Sequence, residues 1–366
     1  MTINFILERA DLSGGVRAVS EFAKELNRRG HDVTVFSAPY PNVGTKEKLR
    51  ALAGRRHWPG PAGMRPSHLD GSGVKHIVIE SSRAIGAADL PNADAVIATW
   101  WRTAQWVAAL PPAKGAKLHL IQHYETWGGP AEDVDAVWRL PLHRVVVSRW
   151  LADIARDKFG DATASLVPYG LDHAQFHAPP RGKQGVPTIG MLYSTTPFKG
   201  CDVAIKAIEL ARKACGNLKV IALGVGAADR KLPLPPGAVY VQNPPQNQLK
   251  DIYAACDGWL CASHAEGFYM PALEAMACRC PVISTRVGWP MEAIADGVNG
   301  FLADVGDAAQ LARHLVSIAK LSNEQWRAMS DAASTTAQPY TWQRAGELFE
   351  AAIVKAIRAH HPRASS

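Results

Sequence analysis

Short apolar, β-branched runs alternate along most of the chain with stretches in which apolar residues recur every three or four positions. TINFIL (2–7) reads as a strand. GVRAVSEFAKELNRRG then places Val16, Val19, Phe22, Ala23 and Leu26 at helical spacing and stops at Gly30. DVTVF (32–36), KHIVIE, DAVIAT, KLHLIQ and HRVVVS read as further strands, with helices such as SRWLADIARDKFG between some of them. The alternation predicts α/β architecture, with parallel sheets covered by helices on both faces. Proline, glycine and charge interrupt it at HAQFHAPPRGKQG, which reads as a linker over 173–186. The pattern restarts with PTIGML, a helix from Gly200, LKVIALG, AVYVQN, a helix near 247–255, DGWLCAS, a helix carrying Pro271, and CPVIST. The expected organisation is a first domain over 1–172, a second over 187–340, and a final helix within 341–366 returning to the first. Two doubly wound domains in series predict a ligand cleft at the C-terminal edges of their strands.

The stretch HAEGFYMPALEAMACRCPVIS sets Glu266 and Glu274 eight positions apart across the expected start of a helix. Pro271 suits the first helical turn, where its missing N–H costs nothing. Leu273, Met276, Ala277 and Cys280 would form one apolar stripe, with Glu274 about 100° round from Leu273 on its margin. Free amides at a helix start bind anions. Carboxylates do not bind phosphate; they accept hydrogen bonds from hydroxyls. A ligand with a phosphate centre and hydroxylated groups on either side fits that layout, as a nucleotide sugar does.

EGFYMPALEAMACRCPVIS resembles the E-x7-E region of glycosyltransferase family 4, retaining enzymes of the two-domain GT-B fold. MEAIADGVNGFLADVGDAAQLA, SLVPYGLDHAQF and SGGVRAVSEFAKELNRRGHDVTVF carry the resemblance over almost the whole chain. It implies two Rossmann-like domains facing each other, the first on the acceptor side and the second binding the nucleotide sugar. By the same resemblance Glu274 holds the ribose hydroxyls and Glu266 lies near those of the transferred sugar. The amides of Gly267, Phe268, Tyr269 and Met270 line the phosphate end, and Lys199 pairs with the diphosphate. Gly14 and Gly15 match a glycine turn that approaches the ligand, and His123 matches a histidine contacting a sugar hydroxyl. The chain departs from the family pattern at Ser194, where an arginine is usual, and at Tyr169, where asparagine is frequent. Catalytic roles are therefore expected for His123, Glu266 and Lys199, with no cofactor beyond the co-substrate and no metal. The expected acceptor is a saccharide or lipid-linked saccharide, in bacterial surface polysaccharide synthesis. A sugar-nucleotide epimerase or hydrolase on the same fold, or a non-catalytic binder, would share these features.

Other motifs change this picture little. Asp133 and Asp135 match the D-x-D metal motif of a different glycosyltransferase fold, but they lie in an acidic stretch between two elements of the first domain. Glu125, two residues after His123, could orient it or the acceptor. LGVGAAD lacks the full dinucleotide fingerprint, which argues against NAD. Seven of the eleven tryptophans precede residue 151, and core packing is the default account of them. The stretch TKEKLRALAGRRHWPGPAGMRP gathers Lys46, Lys48, Arg50, Arg55, Arg56 and Arg65 around Trp58, which suits peripheral contact with an anionic membrane or a phosphorylated acceptor.

The formal charge of +7 suits anionic small molecules and is too diffuse for nucleic acid. The first residues mix acid and base early, unlike a signal peptide. The best apolar stretch, AVIATWWRTAQWVAALPP, carries Arg102 and Gln105 and ends on two prolines, so it falls short of the roughly 18–20 apolar residues that span a membrane. All six cysteines lie in the second half, lack C-x-x-C spacing, and mostly sit in apolar runs as reduced core residues would. A cytoplasmic protein is expected.

Overall fold

The computed structural model describes residues 1–41 and 65–360. The basic residues from Lys46 to Arg56, and Trp58, lie outside the described residues. The chain divides into two compact units, Met1–Pro168 with the chain from Trp342, and Tyr169–Thr341.

The first unit runs β1 (Thr2–Leu7), α1 (Gly14–Arg28), β2 (Asp32–Ser37), β3 (Lys75–Val78), β4 (Ala95–Ala98), α2 (Trp101–Ala108), β5 (Ala116–Ile121), α3 (Ala131–Val137), β6 (His143–Val146), α4 (Arg149–Asp153) and β7 (Ser165–Leu166). All strands pair in parallel, in the order β3-β2-β1-β4-β5-β6-β7. β4 is buried at every position, as a strand covered on both faces must be. Ser13 caps α1 by accepting from the Val16 N–H, and the predicted stripe of Val16, Val19, Phe22, Ala23 and Leu26 is buried. The order reverses between β1 and β4, which places the loops leaving β1, β4 and β5 at the usual ligand edge of such a sheet.

The second unit runs β8 (Thr188–Leu192), α5 (Cys201–Cys215), β9 (Lys219–Gly224), β10 (Val239–Gln242), α6 (Leu249–Ala254), β11 (Gly258–Cys261), α7 (Met270–Ala277), β12 (Val282–Thr285), α8 (Pro290–Ala293), β13 (Gly300–Ala303), α9 (Ala308–Lys320) and α10 (Asn323–Ala337). Its strands are also parallel, in the order β10-β9-β8-β11-β12-β13. Gly190 on β8 makes room for Trp259, since a methyl there would lie 2.4 Å from the indole ring.

The joint does not fall at 173–186. Those residues pack within the second unit, where the Arg181 guanidinium donates to the carbonyls of Ala254 and Cys256 and to Asp257, and stacks over Trp326. Proline and glycine made the stretch look like a linker; one buried-edge arginine makes it part of a domain. The final helix, α11 (Trp342–His360), belongs to the first unit. Phe349 packs edge-on to Phe5 and Phe22, and Glu350 accepts from Arg29. Among the described residues no helix is long and apolar enough to cross a membrane.

Candidate functional site

In the second unit, the loop leaving β11 meets the turn before α5. Lys199 ends a short 3-10 turn, Pro197–Lys199, and its Nζ donates to Glu266 Oε1 at 2.7 Å. Ser263 Oγ donates to the same oxygen at 2.7 Å. The Glu266 side chain is 6% exposed and that of Lys199 24%, so the carboxylate is held inside while the ammonium reaches solvent. An ammonium has three N–H donors, and Glu266 takes one.

One further contact joins these segments, and another ties the loop to the end of β12. The His264 N–H donates to the Phe198 carbonyl at 2.7 Å, and Thr285 Oγ1 donates to the Ser263 carbonyl at 2.6 Å. Gly200, directly after Lys199, has φ +59° and lies so close to the β11 exit that a Cβ would stand 1.9 Å from the Ala262 carbonyl oxygen. Only glycine fits there, which explains how Lys199 can approach the loop at all.

Tyr269 precedes α7 with φ +76°, a conformation that costs a bulky side chain about 1–3 kcal/mol and persists only where packing enforces it. Its buried hydroxyl accepts from Trp259 Nε1 at 3.2 Å. Phe268 is stacked on Trp289 at 5.6 Å and tilted against Tyr169 at 5.0 Å. The side chains of Phe268 and Tyr269 are thus core groups, and any ligand role for these two residues falls to their backbone. A left-handed residue ahead of a helix allows successive amides to converge as an anion nest. Ser194 Oγ accepts from the Thr196 N–H, and the Ser194 N–H donates to Cys201 Sγ, so this residue shapes the turn that leads to Lys199.

Glu274 does not lie on a polar margin of α7. The helix is buried from Ala272 to Ala277 without interruption, because α10 and α6 pack on it. Glu274, 3% exposed, instead accepts a hydrogen bond from the Tyr253 hydroxyl at 2.8 Å. Burial, and then the charge of Glu274, push the Tyr253 phenol well above its ordinary range, which keeps it a donor.

The other expected residues lie in the first unit. Gly14 and Gly15 open α1 after β1, and a methyl on Gly15 would lie 3.3 Å from the Gln122 side chain. Gln122 precedes His123, so the glycine turn and the β5 exit are neighbours. His123 Nδ1 donates to the Tyr124 carbonyl at 3.0 Å. Glu125 does not orient His123: its carboxylate accepts from the Trp101 N–H at 2.8 Å, at the start of α2. Burial raises the Glu125 carboxyl well above its usual range, opposed by that N–H. Asp133 and Asp135 lie on α3, two positions apart and therefore on different faces. Asp135 pairs with Lys158 at 2.8 Å and accepts from the Tyr124 hydroxyl.

Comparison with known proteins bears on the second unit first. Residues 184–320 match the family model for Glycosyl transferases group 1. A D-inositol 3-phosphate glycosyltransferase of Acidothermus cellulolyticus is 25% identical over 352 residues, covering 82% of this chain and 77% of the relative. That of Segniliparus rotundus is 26% identical over 217 residues, covering 56% of this chain and 46% of the relative. The chain thus spans about half the length of the second of these. Among solved structures, Anabaena HepE in complex with UDP and glucose superimposes with a TM-score of 0.72 at 15% identity, over 97% of this chain and all of that one. The fold is therefore GT-B-like, as the resemblance implied, with the two parallel-sheet α/β domains that the sequence pattern predicted.

Sequence reasoning did not find Ser263, Gly200 or Tyr253. Ser263 closes the run DGWLCAS and Gly200 follows Lys199, so both stood beside residues already singled out. Tyr253 carried no signal, since only the packing of α6 on α7 brings it to Glu274.

Proposed function

We propose that the chain is a retaining glycosyltransferase that moves a sugar from a nucleotide sugar to a hydroxyl of a saccharide or lipid-linked saccharide. The observation that carries the reading is the Lys199–Glu266–Ser263 cluster beside the start of α7, inside the segment that matches the glycosyltransferase model. The relatives' D-inositol 3-phosphate activity and the UDP and glucose held by the Anabaena neighbour support a UDP-sugar donor and a hydroxylated ring as acceptor. A role in bacterial surface polysaccharide synthesis, on the cytoplasmic side of the membrane, rests on the sequence blocks alone.

In this reading Lys199 and the amides of Gly267 to Met270 meet the diphosphate, Glu274 accepts from the ribose hydroxyls and Glu266 from those of the transferred sugar. On the first unit, His123 accepts from a sugar hydroxyl, and the Gly14–Gly15 turn lets backbone approach the ligand. As the bond between the anomeric carbon and the diphosphate oxygen breaks, Lys199 and the amides stabilise the departing charge. The acceptor oxygen then bonds to the anomeric carbon on the same face, and its proton passes to the leaving diphosphate oxygen. No protein carboxylate becomes covalently linked.

The test is release of nucleoside diphosphate from UDP-, GDP-, dTDP- and ADP-glucose in the presence of simple sugars and cyclitols. A sugar-bearing product with the donor's anomeric configuration is expected from one of them. Inversion, or binding without transfer across the panel, would overturn the reading. Because a lysine and amides meet the diphosphate here, turnover should survive EDTA. Complete loss that added divalent cation restores would contradict the assignment and return attention to Asp133 and Asp135.

A further inference from the structure

Glu266 is held through one of its two oxygens. Lys199 Nζ and Ser263 Oγ both donate to Oε1, each at 2.7 Å, which fills the two lone pairs of that atom. Among the described residues no hydrogen bond reaches Oε2. A carboxylate this buried gains most from donors on both oxygens, since an acceptor left without one in the interior costs free energy. The fold instead places both donors on a single atom.

The exit of β12 fixes that arrangement from behind. Thr285 ends β12, is fully buried, and donates through Oγ1 to the Ser263 carbonyl at 2.6 Å. Gly288 has φ +49°, and a Cβ there would stand 2.8 Å from the Phe268 carbonyl oxygen and 3.2 Å from Glu266 Cβ. The Trp289 N–H donates to the same Phe268 carbonyl at 2.9 Å. The segment from Thr285 to Trp289 thus lies against the loop at Ser263, Glu266 and Phe268. The start of α5 holds the loop from the other side, through Lys199, Gly200 and the Phe198 carbonyl. A side chain clamped on both sides is preorganised, which is what a group that must meet a ligand at one angle requires.

The chemistry of Oε2 limits what it can take. A carboxylate oxygen accepts and cannot donate, so it suits a hydroxyl and repels a phosphate oxygen. The ammonium stands on the other oxygen of the same group, so a hydroxyl and an anion can be met side by side. We propose that Thr285 and Ser263 are positioning residues for the donor sugar: they fix Glu266 Oε1 on Lys199 so that Oε2 takes one sugar hydroxyl. The assignment rests on the glycosyl-transfer reading and deepens it, by naming the oxygen that meets the sugar and the residues that aim it. Thr285 acts only through Ser263.

Calorimetric titration of the whole chain compares UDP-, GDP-, dTDP- and ADP-glucose with the matching nucleoside diphosphates. The wild type is expected to bind one nucleotide sugar, with the sugar adding affinity beyond the diphosphate alone. Thr285→Val keeps the shape and removes the hydroxyl. It should weaken that nucleotide sugar about five- to tenfold, as loss of an aligned hydrogen bond does, and leave the nucleoside diphosphate within about twofold. Thr285→Ser keeps the hydroxyl and should bind as the wild type does, although it lacks the methyl that a mere packing role would need. In the Glu266→Gln background Thr285→Val should cost much less, because both changes act through one carboxylate. The proposal is overturned if the sugar adds no affinity in the wild type, or if Thr285→Val binds the nucleotide sugar as the wild type does. Equal losses for sugar and diphosphate, or an undiminished loss in the Glu266→Gln background, overturn it too. If no nucleotide binds the wild type, the transferase reading fails by itself and thermal midpoints decide this one. Shifts of Thr285→Val and Glu266→Gln that simply add would then sink it, and a combined shift smaller than their sum would sustain the coupling.

Discussion

Lys199→Ala is expected to lower turnover about 10²-fold or more, the usual consequence of losing a transition-state electrostatic contact. The ion pair with Glu266 adds a second expected effect. Removing the ammonium leaves a carboxylate with a 6% exposed side chain that accepts a hydrogen bond from Ser263. Orphaning a charge in a fully buried pair costs about 3–5 kcal/mol. Lys199 reaches solvent, so about 1–3 kcal/mol is the fitting range here. The two effects separate in the double variant Lys199→Ala/Glu266→Gln, in which no charge is orphaned. Its thermal midpoint should recover toward that of the wild type while turnover stays low. A folded Lys199→Ala protein with near-normal turnover would remove Lys199 from the diphosphate and sink the proposed phosphate site.

Glu274→Gln is expected to weaken binding of the cognate nucleoside diphosphate about tenfold or more. A charge-assisted hydrogen bond to a hydroxyl contributes about 1.5–3 kcal/mol, and the amide removes its charge. The Tyr253 hydroxyl sits 2.8 Å from Glu274 Oε2, and the carbonyl of glutamine can accept the same bond. The nucleotide-free variant should therefore keep its thermal stability, which isolates the effect to binding. Calorimetric titration of wild type and variant decides the matter: an unchanged dissociation constant means that Glu274 is only a structural partner of Tyr253.

Much of the fold was legible because parallel sheets covered on both faces leave a plain record. AVIA at 95–98, GWLC at 258–261 and VIST at 282–285 are buried at every position, and such runs can belong only to an interior. The amphipathic spacing of α1 was equally plain, since one face meets the core and the other water. The reading failed where composition and packing disagree. Residues 173–186 carry the proline and glycine of a linker, yet Arg181 ties them to Asp257 and Trp326. Glu274 was placed on the edge of a stripe because periodicity cannot reveal a second layer of helices over α7.

What the sequence determined by itself is therefore local and periodic: the alternation of strands and helices, their parallel arrangement, a helix whose first turn holds Pro271, and the residue types gathered near it. These follow from burial of one face or two, which each segment records in its own pattern. Tertiary structure alone decided the pairings. Lys199 meets Glu266 across 67 positions, Tyr253 meets Glu274 across 21, and Gly200 admits the Ala262 carbonyl where no side chain would fit. It also left Trp127 in solvent while burying Trp101 and Trp138, although all three look alike in a sequence. Such contacts depend on which surfaces remain covered once distant segments pack, and no local period encodes that.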